Sequence, residues 1–456
     1  MRSQRLAGAV RLVLLLSLPV LLFSCGQGPT SPAPPAPTPT PDPPPGASDW
    51  VMYGHDVSRT GYNSGEIAIT AASVSRLAPR WQADLGMGDF PPSGAPTVAR
   101  GRIFAGSSRP DGDNFFAFDA ITGAALWTAD VGHHPPSDFD VGLGATPAVS
   151  GSVLVAGGGD AAYYGLDVAT GAILWRHEMG VGPSGFTWCS PLIVNGRVYI
   201  GLSSEGDNPS VRGEVRALDL TTGTLLANQY FVPDGLRGAG IWNSPALSPD
   251  GRLLAVATGE DFAGYDGPYN RAMVTLDPLT LDILQADKEG ATDQDLDWGT
   301  TPVFFKDRGG RTLLGANHKN GVFYAYVADS VGAGPIWQRS MGVSIGMMPA
   351  YDPSRGAGGT LFFVGDNGQL FGVDPATGAD RWPPVAVGFM FGNMALANGL
   401  IFVSSGGSVV ILDAAAGTVI RTLTPTDPGP SYSGVVVAGG FVYWLSGPKL
   451  NAWSLS

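Results

Sequence analysis

The sequence predicts an all-β protein, an eight-bladed β-propeller whose last blade is closed by the two ends of the chain. Three observations predict it: a turn motif that recurs along the chain, a two-strand pattern that occurs eight times, and complementary strand counts at the termini. Four-strand units repeated every 40–58 residues or so are the sequence mark of a radial β array. Composition agrees. The 456 residues include 66 Gly, 38 Pro and 11 Trp and are only 14% charged, which suits many short strands joined by tight turns. A closed array can absorb this length as a single unit, where ordinary domains would need two or three.

The turn motif is an apolar residue, Asp, three residues, Gly, three residues and Trp. It stands as FDAITGAALW (118–127), LDVATGAILW (166–175) and VDPATGADRW (373–382). Weaker copies are LDLTTGTLLA (218–227), LDPLTLDILQ (276–285) and LDAAAGTVIR (412–421), and a degenerate one runs through Asp329 to Trp337. Asp and Thr side chains can bond nearby backbone amides and Gly supplies a positive φ, so the motif predicts a hairpin turn between two strands. Upstream lies the second pattern, seen in TPAVSGSVLVAGG, SPLIVNGRVYIGL and GVVVAGGFVYWLS among the eight copies. Each unit therefore has strands A to D, counted from the central axis outward, with the T-G turn between C and D. At the termini, Trp81 in LAPRWQADLG is a fourth strand without the preceding three, and FVYWLSGPKLNAWSLS supplies strands without a fourth. Together they complete the eighth blade.

Residues 1–24 read as a processing signal and 49–456 as the propeller. Arg2, Arg5 and Arg11 precede the apolar run Leu12–Phe23, which is too short to span a bilayer. It ends LLFSC, similar to a bacterial lipobox, and this implies a lipid-anchored envelope protein acylated at Cys25. The alternative is an ordinary signal peptide with an incidental cysteine. The stretch GQGPTSPAPPAPTPTPDPPPGAS favours an extended polyproline II spacer over residues 25–48. The formal charge is −13, and the first 24 residues carry three arginines and no acid, leaving −16 without them. No basic cluster accompanies it, which argues against nucleic acid or an anionic membrane surface as a partner. The other cysteine, Cys189, follows Trp188 before SPLIV and reads as a buried free thiol. No C-x-x-C-H is present, so no c-type haem is covalently attached.

Connectivity gives a test for where function resides. A–B turns and T-G turns share one face of a propeller; B–C connections and the links from D to the next A share the other. Spacings between successive motif Asp residues rise from 48 (119 to 167) to 58 (219 to 277) and fall to 39 (374 to 413). The surplus lies in the B–C connections Glu205–Val211 and Gly259–Asn270 and in the links Val232–Asn243 and Lys288–Gly299. All belong to one face of neighbouring blades, and loops on a rigid scaffold are where function tends to reside.

The repeat A/G-x-D-x-x-T-G-x-x-x-W resembles that of quinoproteins binding pyrroloquinoline quinone (PQQ). The opening DWVMYGHDVSRTGYNSGEIAIT (49–70) is similar to the start of their alcohol and polyvinyl-alcohol dehydrogenase branch. Non-enzymatic lipoprotein propellers of the outer-membrane assembly machinery share the repeat, so function must come from the site. The resemblance implies a calcium-binding glutamate at Glu205 in SSEGDNPSVRG, which also borders the cofactor, and a tryptophan floor under PQQ at Trp242. It implies a catalytic aspartate in DQDLDWGTTP, where the register favours Asp295 and leaves Asp297 open. It implies a lysine contacting the quinone oxygens at Lys319 in ANHKNGVFYAY. Where the family has T-G-N, with Asn as a metal ligand, this chain has TGED and places Glu260. The family's adjacent-cysteine disulfide is absent.

These residue types form a coherent chemistry. A flat anionic quinone needs an aromatic floor and a cation; calcium held by Glu205, Glu260 and Asp295 would polarise its carbonyl; Asp295 would take the alcohol proton. The expectation is a PQQ- and Ca²⁺-dependent dehydrogenase of an alcohol, sugar or polymer alcohol, served by a separate electron acceptor. The competing expectation is a non-enzymatic propeller scaffold binding protein or carbohydrate. His133, His134 and His318 are expected to be solvated or capping residues.

Overall fold

The computed structural model describes residues 46–134, 142–180, 185–204, 211–260, 265–288, 295–342, 347–365, 367–388 and 391–456. The expected signal peptide, Cys25, most of the expected spacer and Glu205 lie outside the described residues. Among the described residues no helix is long and apolar enough to cross a membrane.

Among the described residues, eight antiparallel sheets, each led by a four-strand path, form the blades, and a two-stranded parallel sheet pairs Met347–Met348 with Gly392–Asn393. Blade 1 runs Thr97–Ala99, Arg102–Gly106, Phe115–Asp119 and Ala125–Ala129. Blade 4 runs Ala246–Leu247, Leu254–Ala257, Ala272–Leu276 and Ile283–Lys288, and blade 5 runs Val303–Lys306, Thr312–His318, Val322–Val327 and Trp337–Ser340. In blade 8, Val435–Ala438, Phe441–Ser446 and Lys449–Leu455 are joined by the N-terminal strand Leu77–Asp84. That strand pairs with the C-terminal one from Leu77 opposite Leu455 to Asp84 opposite Lys449, so both chain ends close the ring.

Burial follows strand position. Strand B of blade 2, Val153–Gly157, is buried at every residue because neighbouring blades cover both faces. The outer strand Ile173–Glu178 is mostly exposed, leaving Ile173 and Leu174 half in water. The motif turns work as expected: Asp167 Oδ1 accepts the amides of Ala169 and Thr170 and the Thr170 hydroxyl. Gly171 has φ +73.

Each motif tryptophan locks its blade onto the next. Trp127 Nε1 donates to Val168 O at 3.0 Å, while its ring covers Gly171, where a Cβ would stand 2.5 Å from the ring. Trp81, Trp175, Trp337 and Trp382 repeat the bond to the carbonyl after the next motif Asp. Blade 4 departs from the pattern. Leu281 occupies the Gly position at φ +64, and Gln285 stands in place of Trp. Around Asp329 the chain forms a 3-10 segment, Ala328–Ala333, to which Gln285 is bonded through Asp329 O and the Gly332 amide.

Residues 50–63 run along the inner edges of the blades, where strand A would otherwise leave backbone groups without partners. Trp50 exchanges both backbone bonds with Val98 of blade 1. Val51, Val57, Ser58, Thr60 and Gly61 accept amides from strand A of blades 2, 4, 5, 6 and 7, and the Asn63 side chain reaches Val437 O of blade 8. Blade 3 is met by Arg59, through Ser190 O and Pro191 O.

Candidate active site

The elements that carry the expected residues meet on the loop-rich face of blades 4 and 5. Trp242 lies in the link into strand A of blade 4, and Glu260 three residues beyond its strand B. Asp295 and Asp297 lie in the link into strand A of blade 5, and Lys319 directly follows its strand B. Backbone bonds hold these loops in register: Ala239 donates to Glu260 O, Gly259 to Gly240 O and Lys319 to Asp297 O, at 2.8–2.9 Å.

The side chains converge. One carboxylate oxygen from each of Glu260, Asp295 and Asp297 falls within 4.8 Å of the others. Lys319 Nζ donates to Asp295 and lies 2.8 Å from Asp297 Oδ1, and Trp242 Nε1 donates to Asp297 Oδ2 at 2.9 Å. The Lys319 ammonium is 5.0 Å from the centre of the Trp242 ring, a cation–π distance. Asp297 and Glu260 are buried, whereas half of the Asp295 side chain is in water. Asp295 also has φ +65, a conformation Asp tolerates better than most residues.

Burial, followed by the charge of Asp297, pushes the Glu260 carboxyl up to about 9. Burial opposes the Lys319 charge, but Asp297, Asp295 and Glu260 outweigh it and raise its pKa. Glu260 Oε2 is buried with no hydrogen-bond partner among the described residues. A buried polar atom without a partner is costly, and here it faces two further carboxylates. A hard cation would satisfy all three acids at once, since the donors are all oxygen.

Beside the cluster lies a cavity of about 480 Å³, within the range of small-molecule sites. Trp242, Trp188, Phe90, Phe391 and Tyr432 give it aromatic walls, and Tyr53 comes from the segment along the inner edges. Hydroxyls from successive blades form a girdle in its lining. The amides of Ala95, Thr146, Ser190 and Ser244 donate to Thr146, Ser190, Ser244 and Thr301 side chains at 2.8–3.0 Å. Their sequence signal is the Ser/Thr-Pro pair that opens strand A, in TPAV, SPLI, SPAL and TPVF, which by itself marks a turn into a strand and carries no chemistry of a site. Trp188 has no signal beyond its place next to Cys189.

The structure thus brings together Trp242, Glu260, Asp295 and Lys319, and adds Asp297 as the buried centre of the group. Cys189 is a buried free thiol held neutral, with burial pushing its pKa up to about 12. His318 is buried rather than solvated; its Nδ1 accepts the Asn320 amide, its ring meets Trp298 edge-on, and burial pushes it down to about 4. His133 lies near Gly112 O and Asp130, and His134 packs on Phe186.

Eight blades built on the recurrent Asp-Thr-Gly turn and its tryptophan place the chain in the PQQ-repeat class of β-propellers. The chain belongs to the PQQ_2 family, whose model, described as outer membrane protein assembly factor BamB, matches residues 68–266 and 325–453. It is 23% identical over 365 residues to a polyvinylalcohol dehydrogenase of Pseudomonas sp., covering 69% of this chain and 56% of that protein. A polyvinylalcohol dehydrogenase of Sphingopyxis sp. (strain 113P3) is 24% identical, with 83% and 70% covered. The chain therefore spans little more than half the length of the first of these relatives. Among solved structures, a quinohemoprotein alcohol dehydrogenase from Pseudomonas putida HK5 superposes with TM-score 0.72 at 17% identity, covering 90% of this chain and 80% of that one. A europium-containing methanol dehydrogenase gives 0.70 at 16% identity with 90% and 98% covered, and BamB from Moraxella catarrhalis gives 0.52 at 16% with 83% and 97% covered. These likenesses are of fold.

Proposed function

We propose that the protein is a PQQ- and metal-dependent dehydrogenase oxidising an alcohol or polymer alcohol. The observation that carries this reading is the convergence of Glu260, Asp295 and Asp297 with Lys319 and Trp242 beside an aromatic cavity. PQQ, when bound, accepts the hydride and so supplies the redox chemistry. The chain's residues would do the placing. Trp242 offers a flat wall for the ring system, and Lys319, held by two carboxylates, offers a positive charge toward the quinone oxygens. Glu260 and Asp297, with Asp295 at the edge, would hold the cation; Glu205 remains the candidate fourth ligand. Asp297 has one oxygen on Trp242 and the other on Lys319, whereas Asp295 faces water and can meet an incoming hydroxyl. Asp295 is therefore assigned the base that takes the alcohol proton.

Calcium was the expected cation. Three carboxylates balanced by one lysine leave the cluster at −2 when ionised, a charge that also suits a trivalent hard ion of the kind named in the europium-containing neighbour. Lipid anchoring through Cys25 and delivery of electrons to a separate acceptor belong to the same proposal and rest on the sequence. The scaffold reading is favoured by the description of the matching family. The buried, under-satisfied carboxylate cluster beside the cavity supports the enzyme reading over it.

The test is reconstitution with PQQ and either Ca²⁺ or La³⁺, followed by dye-linked oxidation of an alcohol panel that includes polyvinyl alcohol. Activity that needs both components and is lost in Asp295→Ala supports the reading. No oxidation and no PQQ-dependent spectral change with either metal would sink it.

A further inference from the structure

The chain places a fully buried arginine, without an ion-pair contact among the described residues, beneath the cavity. Arg59 is fully buried, and all its hydrogen bonds go to carbonyls: Nε to Pro245 O at 2.8 Å, Nη1 to Tyr53 O, and Nη2 to Ser190 O and Pro191 O at 3.4 Å. Among the described residues it makes no ion pair. The carboxylate of Asp56, on the same segment, is engaged by the Ser58 and Thr60 amides and the Thr60 hydroxyl. Two of the residues that hold Arg59, Tyr53 and Ser190, line the cavity itself, and the guanidinium carbon is 5.9 Å from the Tyr53 ring centre. The segment is wound tightly to put it there, with positive φ at Gly54, His55, Arg59 and Gly61. An arginine in this conformation is uncommon, and such strain concentrates at functional sites.

Burial lowers the Arg59 pKa to about 10, which still leaves it charged at neutral pH. Carbonyl dipoles offset part of the cost of burying that charge; among the described residues Asp56 is the carboxylate that acts on it, without an ion-pair contact. Its field therefore reaches into the cavity from the side of Tyr53, while the acids crowd the side of Trp242. A ligand that meets both sides carries a metal-binding end and, away from it, a carboxylate.

We infer that Arg59 is the electrostatic anchor for a carboxylate of a planar, polyanionic ligand in the axial cavity. It acts through the cavity wall as a positioning residue. The inference rests on the proposed function and adds a group that neither the repeat nor the metal cluster would have pointed to.

The experiment compares PQQ with its uncharged trimethyl ester by quenching of tryptophan fluorescence in the metal-loaded protein. The wild type is expected to prefer the acid over the ester by at least tenfold, the order of a unit charge pair at this depth. Arg59→Gln should bring the ratio near one, and Arg59→Lys should keep most of it. Failure of the wild type to bind PQQ at all would overturn the proposed function. Binding without discrimination, or a ratio unchanged in Arg59→Gln, would overturn the inference alone and leave Arg59 a structural tie. If Arg59→Gln does not fold, the wild-type ratio measured without metal carries the test: a preference for the acid that persists there supports the inference, and one that vanishes with the metal overturns it.

Discussion

The indole Nε1 of Trp242 donates to Oδ2 of Asp297 at 2.9 Å, so an aromatic wall of the cavity is bonded directly to the buried acid of the cluster. The residues are 55 positions apart and belong to the entry links of adjacent blades. That bond couples the orientation of a flat ligand to the geometry of the cation site.

Trp242→Phe keeps a ring and removes the donor. Groups that orient a metal-binding carboxylate typically contribute 10–100-fold to affinity. Calcium or lanthanide titration should show a loss of about that size, with the folded state otherwise intact by circular dichroism. An unchanged metal affinity would show that Asp297 is oriented without the indole.

Glu260 makes the cluster sensitive to pH. Its carboxyl is raised from 4.5 to about 9 in the metal-free protein, so between these values the folded state holds a proton that the unfolded state has released. Its contribution to stability is therefore complete below about 4.5 and is lost as pH rises through about 9. The slope approaches about 1.4 kcal/mol per pH unit in that window. Urea titrations of metal-free protein should show falling stability from pH 5 to 9, and Glu260→Gln should flatten the curve. Metal addition at pH 7 should release about one proton, measurable by calorimetry in buffers of different ionisation enthalpy.

The Trp127–Gly171 contact gives a prediction for the scaffold. Gly171→Ala places a methyl group 2.5 Å from the ring at φ +73, so the change combines backbone strain with displacement of a packed indole. Losses of about 2–4 kcal/mol in urea unfolding are expected, and a loss of similar size for Trp127→Phe, which drops the bond to Val168 O together with the indole ring atoms that cover Gly171. A loss below about 0.5 kcal/mol for Gly171→Ala would mean that the close approach does not hold the blades together.

Much of this fold was legible because the repeat encodes itself locally. Asp167, Thr170 and Gly171 build the turn from neighbours in sequence, and Trp175 sits at a fixed offset from them. Blade 4 was harder to read where Leu281 adopts the glycine conformation and Gln285 replaces tryptophan with a different bond. In the site, Trp242, Glu260, Asp295 and Lys319 could be aligned to a known pattern, and they do meet. Asp297 remained one of two options because both acids share a link, and only burial separates them. Tyr53 and Trp188 lacked any chemical signature in the sequence, and the hydroxyl girdle carried only the Ser/Thr-Pro pairs that open strand A. Their closeness is a product of ring closure, which brings residues more than a hundred positions apart to one axis.

Asp295 and Asp297 can be told apart by what each variant loses. Asp297 is buried and commits its oxygens to Trp242 and Lys319, so Asp297→Asn should chiefly weaken metal binding and stability. Asp295 is half exposed and bonded to Lys319 alone among the described residues, which leaves an oxygen free for a substrate hydroxyl. Asp295→Asn cannot accept the proton, and removal of a general base costs on the order of 10²–10⁴-fold in rate. With metal and PQQ saturating, kcat should fall by that range for Asp295→Asn, while its metal affinity falls less than that of Asp297→Asn. If the reconstituted Asp297→Asn protein loses kcat and Asp295→Asn keeps it, the base is Asp297. Lys319 would then be positioned by the solvent-facing acid, and the assignments of the two carboxylates would exchange.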